Sequence, residues 1–138
     1  MAEDNLIIVD TDMFSKDPGA KTAEANIVAK KYGISDKDLA EVEDYKKELT
    51  EHNAWDLPFM GYVNEDGYGY AYVPDQAITE TGWNAHKAFR AMPHDAQTAF
   101  AIRMLFTHRD ADRYGADMFL HYERGFNVRF EGAGSNNY

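Results

Sequence analysis

Four sets of side chains in this chain have residue types and spacings that could do chemistry. Asp10 and Asp12 end the apolar run "LIIVDTD" (residues 6–12), where a strand would deliver two carboxylates to a surface. Such a pair can hold a divalent cation, or divide the work of nucleophile and general acid. Asp117 and His121 are four residues apart in "DMFLHYERG", so on a helix they share a face as paired metal ligands must. Asp36, Asp38, Glu41, Glu43, Asp44, Glu48 and Glu51 crowd one predicted helix with carboxylates. Tyr68, Tyr70 and Tyr72 fall on one face of a predicted strand, a residue type enriched in protein-binding patches and equally suited to sheet packing.

The strand ending in Asp-x-Asp resembles the first motif of haloacid-dehalogenase-type phosphatases. That resemblance implies Asp10 as nucleophile, Asp12 as general acid and magnesium between them. "IVDTD" is also similar to the N-terminal aspartate motif of nucleoside hydrolases, which implies calcium on the same pair. The likeness covers residues 6–12 only. Met13-Phe14 follow where the dehalogenase motif has a small or apolar turn, and no second strand-terminated acidic pair is visible. The Gly and further Asp of the hydrolase motif are absent. The competing reading of Asp10 and Asp12 is a strand leaving the core through residues that tolerate water. Around Asp117 and His121, the acids Asp110 and Asp112 interleave with Arg109, Arg113 and Arg124 at spacings of ordinary helix-surface ion pairs. "HRD" (108–110) resembles a kinase catalytic loop, but no Gly-rich loop, strand lysine or Asp-Phe-Gly accompanies it.

Charge narrows the classes of partner. The net charge is −10, and it is lopsided: residues 1–66 hold 16 acids and 7 bases, residues 67–138 hold 8 acids and 7 bases. An acidic surface repels nucleic acid and attracts basic protein surfaces, so direct nucleic-acid binding is not expected. The absence of cysteine excludes thiol nucleophiles, zinc–thiolate sites and disulfides. No apolar run approaches the roughly 18 residues of a membrane span, and the acidic N-terminus does not read as a signal peptide. A cytoplasmic protein without cofactor is expected. No dinucleotide fingerprint, phosphate-binding loop or glycine elbow is present.

The elements that must position these side chains follow from periodicity. Residues 6–10 read as a strand, and "SKDPG" (15–19) as a turn. "AKTAEANIVAKKYG" (20–33) reads as a helix closing at Gly33. A second helix opens at Ser35 and Asp38 in capping-box spacing, with Leu39, Val42, Tyr45 and Leu49 as its apolar stripe. "FMGYVNEDGYGYAYVP" predicts a hairpin turning at "NEDG". "TETGWNAHKAFRAM" (79–92) predicts a helix, and "HDAQTAFAIRMLFTHRD" a core helix apolar around a wide arc. A further helix ends at Gly125, and "FNVRF" alternates as a half-buried strand.

The expected fold is α+β: one domain over 1–138, with four to five helices on a small, mostly antiparallel sheet and tails at 1–5 and 132–138. The expected function is non-enzymatic: an acidic protein-interaction module, in its sharpest form a phage-type inhibitor that imitates nucleic acid on a partner's basic surface. Its contact residues would be the seven acids of 36–51 and the three tyrosines. The alternatives are a structural subunit of a larger assembly such as a virion, and a small metal-dependent hydrolase using Asp10 and Asp12.

Overall fold

The computed structural model describes residues 5–63, 70–108 and 115–132. The chain runs β1 (Leu6–Asp10), a 3-10 turn (Thr11–Ser15), α1 (Pro18–Lys31), α2 (Asp36–Glu51), β2 (Phe59–Val63), β3 (Tyr70–Pro74), α3 (Ala85–Ala91), α4 (His94–Thr107), α5 (Asp117–Arg124) and β4 (Asn127–Glu131). Among the described residues this is a small α+β arrangement of five α-helices and four short strands.

α4 organises the rest. Ala96 and every residue from Thr98 to Phe106 are buried, as a helix apolar on all sides requires. It packs against α1, α2 and α5. Phe100 lies at the centre of the aromatic core, with ring centroids 4.9 Å from Tyr45, 6.0 Å from Phe59 and 6.1 Å from both Tyr72 and Phe89. Truncating such a buried ring typically costs about 3–5 kcal/mol.

The strands form two ladders. β2 and β3 pair antiparallel, Phe59 opposite Pro74 and Val63 opposite Tyr70, which is the expected hairpin. The turn at 64–69 lies outside the described residues. β1 pairs parallel with β4, Leu6 beside Asn127 and Asp10 beside Glu131. Among the described residues the antiparallel part of the fold is therefore two strands. Ile7 and Val9 are buried on one face of β1, while Ile8 and Asp10 face outward. The Tyr32 hydroxyl donates to the Leu6 carbonyl, tying the end of α1 to this strand.

Two segments differ from expectation for local reasons. α1 starts two residues earlier than the apolar pattern suggests: Asp17 accepts from the Ala20 N–H at 2.9 Å, and Pro18, needing no N–H partner, takes the first helical position. α3 is shorter than the predicted 79–92. Residues 79–83 fold into a turn, with Thr79 N–H on the Trp83 carbonyl and Gly82 at φ +83°, so the helix begins only where Asn84 caps the Lys87 N–H at 2.9 Å.

Candidate functional site

At the end of β1, Asp10 is occupied with backbone. Its Oδ1 accepts from the Asp12 N–H at 2.9 Å and caps the 3-10 turn, while Thr11 between the two acids is buried. A third carboxylate, Glu131, is the register partner of Asp10, but it bonds Arg129 at 2.7 Å. Gly132 approaches this corner so closely, at φ +114°, that a Cβ there would lie 2.7 Å from Thr11 Oγ1 and 2.8 Å from Asp10 Oδ1. The geometry makes Asp10 a turn-former packed under a glycine and leaves Asp12 exposed. Among the described residues no three His, Cys, Asp or Glu side chains are arranged to hold a metal ion.

Asp117 and His121 do come together, as their spacing predicts: both line a shallow groove of about 280 Å³ with Tyr122 and Asn127. Each also has structural work. Asp117 Oδ1 accepts from the Met118 N–H at 2.8 Å at the start of α5. His121 Nδ1 lies 3.1 Å from the Phe126 carbonyl. A carbonyl only accepts, so Nδ1 carries the proton, and the imidazole locks the left-handed Gly125 turn that leads into β4. Nearby, Arg124 donates to Thr98 Oγ1 at 2.8 Å and lies over the Phe119 ring, docking α5 on α4. Burial lowers the pKa of its guanidinium, and the charges of Glu123 and Asp95 raise it back in part. Arg109, Asp110, Asp112 and Arg113 lie outside the described residues.

The tyrosines divide. Tyr72 is fully buried, 5.1 Å from the Phe59 ring, and so belongs to the core instead of a partner surface. The next residue, Val73, points to the other face and is also fully buried, so this end of β3 lies in the core on both faces and its alternation does not mark a partner surface. Tyr68 and the side chain of Tyr70 lie outside the described residues.

The seven acids of α2 also divide. Asp38 closes the expected capping box, its N–H on Ser35 Oγ at 3.2 Å and its carboxylate accepting from the same hydroxyl at 3.1 Å. Asp36 pairs with Lys30 at 2.7 Å. Glu43 bonds Arg103 at 2.6 Å, and Arg103, on the core helix α4, is 97% buried and donates a second bond to Asn26 Oδ1 at 3.0 Å. These contacts fasten α1, α2 and α4 together. Arg103 and Asn26 were absent from the sequence-based candidates, although an arginine amid the apolar run "AFAIRMLF" was the available signal of a buried cation needing an acid.

The remaining acids lie along the other side. Glu41, Asp44, Glu48 and Glu51 follow one another at three- and four-residue steps, so they form a row along one helical face. The row spans about 15 Å at 1.5 Å per residue. Among the described residues none of these four carboxylates has a hydrogen bond or ion pair. Glu41, Asp44 and Glu48 border a groove between α2 and α3 that Tyr45, Ala88, Ala91 and Met92 line. Set against known proteins, the chain matches no family model, no curated protein and no solved structure at a significant level. Among the described residues no helix is long and apolar enough to cross a membrane.

Proposed function

We propose that the protein is a non-enzymatic interaction module whose α2–α3 face engages a protein partner with a basic surface. One observation carries this reading: the row Glu41, Asp44, Glu48, Glu51 forms no ion pair with a described residue, although Lys37 and Lys47 lie three or four positions from three of its members. Like charges three and four residues apart on a helix repel, so an external cation relieves them. The row also qualifies the narrower reading of a nucleic-acid mimic that inhibits its target. Four carboxylates over about 15 Å are one charge per about 5 Å, whereas a duplex carries one per about 1.7 Å of axis. The spacing suits the basic residues of a protein segment, met one helical turn at a time. No cofactor, and no direct contact with nucleic acid, enters this function.

The test is titration of the full chain with a short helical peptide bearing lysines and arginines one turn apart, repeated across a salt series. Affinity should fall steeply with salt. Glu41→Gln/Asp44→Asn/Glu48→Gln together should weaken it about tenfold, which is about 1.4 kcal/mol spread over three exposed charges. Glu43→Gln, on the opposite side of α2, should leave it unchanged. Equal affinity for the wild type and the triple variant sinks the proposal.

A further inference from the structure

We infer that the groove between α2 and α3 is a seat for an arginine side chain of the partner, in preference to lysine. This rests on the acidic-face reading above and adds a specificity to it. The groove is open to solvent and offers about 240 Å³, enough for a long side chain. Its α2 rim carries Glu41, Asp44 and Glu48. Its floor is Tyr45, which is buried, together with the small Ala88 and Ala91 and the half-buried Met92. The Tyr45 hydroxyl donates to the Ala85 carbonyl at 3.2 Å, which fixes the ring that forms this floor.

A side chain filling this shape must lay an apolar stem on the floor and present a cation at one rim. Arginine and lysine both have such stems. Three features separate them. Carboxylates one turn apart offer oxygens to both edges of a planar guanidinium, which donates from five N–H groups, while an ammonium acts as a point charge. The floor is apolar, and a guanidinium is the more weakly hydrated cation, so it loses less on leaving water. Met92 presents an unbranched, polarisable side chain that conforms to a flat group.

The experiment measures fluorescence anisotropy of a labelled short helical peptide with two arginines one turn apart, alongside its lysine and citrulline counterparts. The protein is the full chain, as wild type and as Ala91→Leu. Ala91 is exposed at the end of α3, so the larger side chain fills the groove without entering the core. The arginine peptide should bind about tenfold more tightly than the lysine peptide. Ala91→Leu should bring it down to the lysine level and leave the lysine peptide unaffected. Ala91→Gln, a second filling variant, should act in the same direction and guards against a folding failure of the first. Equal affinity of the arginine and lysine peptides, or a preference that survives both filling variants, overturns the inference while the acidic face stands. If neither cationic peptide outbinds citrulline, the acidic-face reading fails and the inference falls with it.

Discussion

On the side of α2 that meets α1 and α4, Glu43 holds the buried Arg103 and Asp36 holds Lys30; on the side that meets α3, Glu41, Asp44 and Glu48 hold no described residue. The same residue type on one helix thus has two uses. The first side converts acids into fold: Arg103 would be an uncompensated charge in the core without Glu43. The second side has repulsion that only Lys37 and Lys47, three or four positions from Glu41, Asp44 and Glu51, can offset. Its like-charged neighbours at three- and four-residue steps each oppose folding by about 0.2–0.5 kcal/mol. Density of carboxylates on a helix therefore says little about role. What decides it is whether a cation of the same chain reaches them.

That contrast can be broken by measurement. The largest effect is expected from Glu43→Ala, which strands Arg103 with only Asn26. It should lower unfolding free energy by about 2–3 kcal/mol, less than for a fully enclosed pair because Glu43 is itself half exposed. Arg103→Met should cost less than Glu43→Ala in the same urea titration, since it removes the charge along with its need for a partner. The reverse order would mean that Arg103 is stabilised by something other than Glu43. Ser35→Ala should cost about 1 kcal/mol through loss of the α2 cap, with no change in peptide binding. Neutralising Glu41, Asp44 and Glu48 should move stability the other way, raising the thermal midpoint by an amount equivalent to about 0.5–1 kcal/mol. A fall there would show that the row has a hidden structural partner. The smallest effect belongs to Lys30→Ala: its pair with Asp36 is open to water, and the change should fall within about 0.5 kcal/mol and vanish at high salt.

Much of this was legible locally. The capping box at Ser35 and Asp38, the apolar stripe Val42–Tyr45–Leu49 and the wide apolar arc of α4 each declare themselves within one or two turns of helix. So did the row of acids. Its division was not, because the partner of Glu43 stands 60 residues away on α4 and nothing near position 43 distinguishes it from Asp44. The same limit hid the parallel pairing of β1 with β4, whose alternation shows that each is half buried but not what it lies beside. Asp10 and Asp12 illustrate the converse. Their spacing suits a catalytic pair, yet it equally suits a carboxylate capping the backbone two residues on, and the structure shows that use.

The parallel ladder also sets an order of events during folding. Leu6 and Asn127 are register partners 121 positions apart, so β1 cannot find its neighbour until almost the whole described chain is present. Closing so long a loop carries an entropic cost that local contacts do not share, and non-local pairings of this kind slow folding. The helices α1, α2 and α4 can assemble around Phe100 first, and the ladder then closes on their surface. During synthesis on a ribosome, the hydrogen-bonding edge of β1 would wait unpaired while every other described element is made. A circular permutant that joins the end of β4 to the start of β1 through a linker of about a dozen residues, long enough to return along the parallel pair, should therefore fold faster than the natural order of the chain, with the core packing unchanged.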